Sequence, residues 1–221
     1  MTTLDSTEVH VPLSEAIRIA TEAAHRDAET ASYVTALMGG QLPVEGYARL
    51  VAQHRAIYEA LEAPVDLMAR EPEMVPFLDD ALWRLASLER DLVALLGEGW
   101  ASRPEAELMP VTVEYVERLR EVGGTWPAGW LAHYYVRYLG DLSGGLFIRN
   151  RLEATYSIDE TSGTAFYDFP GIPSAKRWKD DFRAKLDALE WDDETRARFT
   201  AEVLEGYRLN TELFHQLGAH A

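Results

Sequence analysis

Apolar residues recur along most of this chain at three- and four-residue spacing, and β-branched alternation is scarce. The clearest run is Tyr47, Leu50, Val51, His54, Ile57, Tyr58 and Leu61, which predicts a helix starting near Pro43. The same reading predicts a first helix from about Leu13 to Met38, with Ser14 as N-cap and Gly39-Gly40 as the stop. Further helices are predicted over about Pro76–Leu96, Pro110–Val122, Pro127–Tyr156, Ser174–Leu189 and Asp193–Leu217. Residues 157–173 read as a polar loop carrying Phe166, Tyr167 and Phe169. The pattern predicts one all-α domain over residues 13–217, with short tails at 1–12 and 218–221.

One segment departs from plain helix energetics. The helix predicted from Pro127 meets Gly140, Gly144 and Gly145, with Asp141 among them beside Leu139 and Leu142. Each glycine costs a helix about 1 kcal/mol relative to alanine, so a weakened or kinked turn is expected. Glycine also lets backbone approach a flat ligand closely. The expectation is a helix bending over something planar and aiming one acid at it.

Composition narrows the chemistry. The formal net charge is −16, which disfavours nucleic acid or an anionic membrane as partner. With no cysteine, disulfides, thiolate haem ligation, cysteine-held iron–sulfur clusters and cysteine nucleophiles are excluded. A reducing cytoplasm fits that usage. No basic residue precedes Arg18, so no signal peptide is expected, and no apolar run approaches the ~18 residues that span a bilayer.

Three constellations carry candidate chemistry. His25 lies among Ala20, Ala23, Ala24, Ala28 and Ala31, where small side chains leave room for a bulky group. Glu29 follows at i+4 and is placed to orient the ring nitrogen not used for a metal. Arg18 is two turns back, about 10 Å along the same face, roughly the reach from a haem iron to its propionates. The second constellation is Lys176, Lys179 and Arg183 on one helical face, within a run that includes Arg177 and Lys185. It reads either as an anion clamp or as a solvated face balanced by Asp180, Asp181 and Asp187. The third is a pair of Glu-x-x-His motifs, Glu22–His25 and Glu212–His215. With Glu59, Glu62 or Glu114 these match the ligand set of a di-iron carboxylate bundle.

Taken together, the residues resemble those of the haem (heme) oxygenases, soluble bacterial type. Arg137-Tyr-Leu-Gly-Asp-Leu-Ser-Gly-Gly145 is similar almost letter for letter to that family's distal-helix signature. His25-x-x-Ala28-Glu29 resembles its proximal motif, and Ile57–Glu62 its second-helix segment. Phe169–Ile172 through Lys179, Arg183 and Leu189-Glu190, and Asn210 with Phe214, align as well. The resemblance covers about residues 13–217.

The resemblance implies haem as both cofactor and substrate, held between a proximal and a kinked distal helix. His25 is then the axial ligand of iron, and Gly140 and Gly144 are the points where backbone touches the other face. Asp141 would organise water above the iron, with Tyr58 and Arg137 in the same network. Tyr135, Lys179 and Arg183, with Arg18 near the same edge, would line the propionate side, and Phe214 and Glu29 complete the pocket. The implied reaction opens the ring with dioxygen and reducing equivalents to biliverdin, carbon monoxide and ferrous iron. Electrons would come from a ferredoxin or flavodoxin and its NAD(P)H-dependent reductase. A carboxylate acting through water delivers protons without behaving as a peroxidase histidine. Glycine softness would also let the distal helix open for ligand exchange.

Three positions depart from the family pattern: Leu146 replaces a common glutamine, Arg18 a common lysine, and Glu22 a cation found in some relatives. These bear on ring orientation. Membrane-anchored relatives carry a hydrophobic tail, which the last residues here do not form. A haem storage protein on the same fold leaves Asp141 and its glycines without a purpose. A thiaminase-like hydrolase lacks its cysteine nucleophile.

Overall fold

A computed structural model describes residues 11–219. Among these the secondary structure is helical, with no strand. Helices α1 (Leu13–Glu29) and α2 (Ser32–Met38) are followed by α3 (Val44–Glu62) and the short α4 (Val65–Met68). Then come α5 (Leu85–Leu96), α6 (Pro110–Thr125), α7 (Pro127–Tyr156), α8 (Ala175–Asp187) and α9 (Asp193–Ala219). α1 packs on α9, α3 lies against α5 and α6, and α7 crosses α9 and α6. The core is aromatic-rich, with Tyr47, Tyr58, Tyr115, Trp130, Tyr134 and Tyr138 all fully buried. Their polar tips are spent internally: Trp130 Nε1 donates to Leu61 O at 2.8 Å, and Tyr134 OH to Phe77 O at 2.9 Å.

Three expectations need correction. The predicted helix over Leu13–Met38 is two helices. Thr30 closes α1, its hydroxyl donating to Arg26 O at 2.9 Å, and Ala31 is extended at ψ 138° before α2 restarts. The Thr-Ala-Ser run offers hydroxyl groups that compete with the helical backbone. The re-aimed α2 turns Tyr33 and Leu37 into the core.

Ser14 is not the N-cap of α1; Pro12 precedes the helix, and Ser14 N and Oγ both bond Asp187, at 2.8 Å each. The helix expected from Pro76 begins only at Leu85. Pro76 lies in one 3-10 turn and Asp80–Leu82 form another, the latter capped by Asp79 accepting from Ala81 N at 3.0 Å. What starts α5 is Glu62 of α3, which accepts from Arg84 N at 2.6 Å and Leu85 N at 3.3 Å.

The helix predicted over Pro127–Tyr156 is found with those bounds as α7. The helix is continuous through Gly140, Gly144 and Gly145 and stops at Ser157, which takes the left-handed conformation at φ 56°. Tertiary packing outweighs the summed glycine penalty here, as it commonly does.

Candidate functional site

A cavity of about 260 Å³ opens between α1 and α2 on one side and α7 on the other, with α3 and α9 at its back. His25, Glu29 and Phe214 line it, as do Arg137, Gly140, Asp141 and Gly144. A second cleft adjoins it, sharing His25, Gly140, Ser143 and Tyr207, and is lined by Arg18, Glu22, Tyr135 and Arg183. The proximal and distal candidates of the sequence therefore face one another across one space.

His25 is half-exposed, with Nδ1 3.4 Å from Glu29 Oε2 and its ring 6.1 Å from that of Tyr207. That leaves Nε2 as the nitrogen able to point into the cleft as a ligand. Across the cleft, a Cβ built on Gly140 meets no atom within 4 Å, and one on Gly144 meets only Ile148 Cδ1 at 3.8 Å. The protein thus leaves a bare backbone surface opposite a histidine, which fits a flat ring ligated on one face. Gly140→Ala should raise the melting temperature of the haem-free protein by about 2–4 °C, from the ~1 kcal/mol helix preference for alanine. It should also weaken hemin binding, because the new Cβ occupies that surface. A thermal melt and a hemin titration check both halves; unchanged hemin affinity would remove Gly140 from the site.

Behind the glycines lies a polar network. Tyr58 OH donates a very short hydrogen bond to Asp141 Oδ2. Arg137 Nε donates to Tyr58 OH at 3.3 Å, and Arg137 Nη1 to Asn210 Oδ1 at 2.7 Å. The Arg137 guanidinium also lies 5.0 Å over the Tyr58 ring. Burial pushes the Asp141 carboxyl above the usual carboxylate range, and Arg137, Tyr58 and Arg84 only partly offset it. Burial also drives the Tyr58 hydroxyl well above its ordinary range, so it stays a donor. No donor among the described residues reaches Asp141 Oδ1. The arrangement presents a carboxyl poised to take up and release a proton, with one oxygen fixed and the other free.

The propionate-side candidates are less gathered. Arg183 and Tyr135 line the second cleft, Tyr135 buried and Arg183 paired with Asp180 at 3.2 Å. Lys179 Nζ donates to Ser143 Oγ at 2.8 Å, tying α8 to the distal helix beside the cleft; burial, then Arg183, lowers its pKa. Arg18 borders the same cleft but is exposed and bidentate to Glu15. Leu146 is exposed. His10 and His220 lie outside the described residues.

The alternative ligand sets are not assembled. Glu22 pairs with Arg26, Glu59 with Arg55 and Glu114 with Arg208, and Glu62 caps α5. Among the described residues no three histidine or carboxylate side chains converge to hold a metal ion. His133 is fully buried and bonded to Glu202 at 2.8 Å, away from the cleft.

Sequence reasoning missed Tyr207, His54 and the 165–168 loop. Tyr207 and His54 sit at ordinary core spacing on their helices and carry no motif. The loop is pinned from α5: buried Asp91 accepts from Ala165 N and Phe166 N at 2.8 Å each. Arg84 adds bonds to Phe166 O, at 3.4 Å, and to Asp168 O. Asp91→Ala should destabilise the fold by about 2 kcal/mol, leaving two buried donors unpaired. Burial raises the Asp91 pKa from 3.8 to about 6, so ionisation opposes folding. Its stability contribution falls as pH rises from about 4 to 6 and is level above that. Denaturant melts at pH 5 and pH 7.5 should show a larger wild-type advantage at pH 5.

Comparison with known proteins places the chain. The Heme oxygenase sequence profile matches residues 11–216. Rat heme oxygenase 1 is 36% identical over 209 residues, which is 94% of this chain and 72% of that protein. Heme oxygenase 1 of the cyanobacterium Nostoc is 33% identical, over 93% of this chain and 85% of that protein. Heme oxygenase-1 of Synechocystis, solved in complex with heme, superposes with a TM-score of 0.87 at 30% identity, covering 95% of this chain and 94% of that one. The enzyme of Leptospira interrogans gives 0.85 at 29% identity, over 93% of this chain and 100% of that one.

The fold and the cleft define an all-α haem-binding bundle, and the chain belongs to the heme oxygenase family. It is a haem-degrading oxidoreductase, with haem as both substrate and prosthetic group.

Proposed function

We propose that this cleft holds one haem flat between His25 and the Gly140–Gly144 backbone, and that ring opening to biliverdin, carbon monoxide and ferrous iron is directed by Asp141. The observation that carries this reading is the open surface over Gly140 opposite His25, with the Tyr58–Asp141–Arg137 network directly behind it. When bound, haem supplies both the iron at which dioxygen is activated and the carbon that is oxidised.

The side chains supply the rest. His25 gives a neutral nitrogen ligand, with Glu29 steadying the other ring nitrogen. Phe214, stacked 6.3 Å from Tyr33, walls the apolar end. Arg183, Tyr135, Arg18 and Lys179 line or border the opposite, more polar end, where carboxylate groups of a ring would be bound. Asp141 holds a proton on a carboxyl whose Oδ2 is fixed by Tyr58; its free Oδ1 passes that proton to water in the cleft. Arg137 keeps Tyr58 aligned and limits how far the Asp141 pKa rises.

An acidic electron donor of the ferredoxin or flavodoxin type, with its NAD(P)H-dependent reductase, suits the cationic face of α8 beside the cleft. Cytoplasm is the compartment we assign; among the described residues no helix is long and apolar enough to cross a membrane. Hemin with reductant and air should be consumed, with biliverdin and carbon monoxide formed. Persistence of the ring under several reductants would refute the reading.

A further inference from the structure

α3 brings a second histidine to the cavity. His54 lies one turn before Tyr58, is 6% exposed and lines the same cavity as His25 and Asp141. Its ring sits 5.4 Å from that of Phe166, tilted by 44°, and 6.3 Å from that of Tyr58. Its Nε2 is buried with no hydrogen-bond partner. Nothing in the role of Tyr58, Arg137 or Asp141 uses this side chain.

An orphaned polar nitrogen beside a cavity is an unsettled account in the hydrogen-bond inventory, and ordered water is the usual partner. Burial first, and then the charge of Arg137, hold this imidazole neutral. A neutral ring carries one donor and one acceptor nitrogen, so it can face a water in either sense. Much of the surrounding cavity is apolar, with Leu37, Leu50 and Ile148 in its wall. Water stays in such a space only with two or more polar partners. Two others border it: Asp141, whose Oδ1 has no protein donor among the described residues, and Arg137.

We propose that His54 is a positioning residue that anchors ordered water in the cavity and joins it to the free oxygen of Asp141. The carboxyl would then exchange protons through that water. This inference rests on the role assigned to Asp141 above, but its first test needs no haem. In the haem-free protein labelled with ¹⁵N-histidine, the His54 ring should give the shifts of a hydrogen-bonded neutral tautomer and a cross-peak to long-lived water. His54→Leu provides the assignment.

With hemin, His54→Leu should slow ring opening about 10-fold at unchanged hemin affinity, and His54→Gln should recover most of that loss. A haem-free spectrum without a water contact at His54 overturns the proposal, whatever turnover shows. So does a glutamine variant no faster than the leucine variant. A wild-type protein that holds the water but leaves the ring intact would instead refute the assigned reaction.

Discussion

His25→Ala should abolish haem turnover, by more than about 100-fold. Loss of a mere second-layer partner of a metal ligand already costs about 10–100-fold, and His25 is the ligand itself. No other histidine lies on α1. His133 is sealed in the core against Glu202, and His54 is packed between Phe166 and Tyr58 on another helix. The variant should fold normally, because His25 is half-exposed and makes only a 3.4 Å contact with Glu29. Added imidazole should restore part of the activity by filling the vacated space among small side chains. Glu29→Ala should cost less than about 10-fold, since that contact is solvent-screened. Turnover by the His25 variant at the wild-type rate would place the ligand elsewhere.

Asp141→Ala should retain hemin affinity and lose about 10²–10⁴-fold in biliverdin formation, the range for a positioned proton donor. Oxidising equivalents that no longer reach the ring should appear as peroxidase-like activity. Asp141→Asn separates charge from shape: it keeps an acceptor for Tyr58 OH but carries no exchangeable carboxyl proton.

The same substitution should stabilise the haem-free protein at neutral pH. Burial raises the Asp141 pKa, so the ionised carboxylate is disfavoured in the folded state above that value. Wild-type stability therefore falls as pH rises through the folded pKa, and the advantage of asparagine shrinks as pH is lowered. Denaturant titrations across that range check the sign. An Asp141→Asn protein that is less stable at pH 7 and still makes biliverdin at the wild-type rate would contradict both assignments.

Much of this site is legible in the chain because its parts are local. The glycine-flanked Asp141 is one helical segment, and His25 with Glu29 is one turn of another. Their residue types state a purpose that helix propensity opposes. The long α7 was readable because Pro127 and the loop after Tyr156 mark its ends, although its three glycines argue against a helix there. Propensity sums local costs, whereas α6, α8 and α9 packed along α7 hold the helix together.

The misplaced boundaries share a cause. α5 starts where Glu62, more than twenty residues earlier, caps it, and α1 ends where Thr30 bonds back to Arg26. The first involves a partner that periodicity cannot see. Arg84 and Asp91 were invisible for the same reason, since their work is to hold a loop some eighty residues away. His54 fits the apolar stripe of α3 so well that only its unpartnered nitrogen marks it. Arg18 shows the converse. Its spacing from His25 is right, yet its guanidinium is engaged by Glu15 and must be released before it can reach an anionic ligand.

The most direct measurement is the structure of the hemin complex. The account predicts a ring lying against the backbone of Gly140 and Gly144, with iron bound to His25 Nε2, its carboxylates toward Arg183 and Tyr135, and water between the iron and Asp141 Oδ1. Iron on any other histidine, or a ring seated away from the α7 glycines, would contradict it.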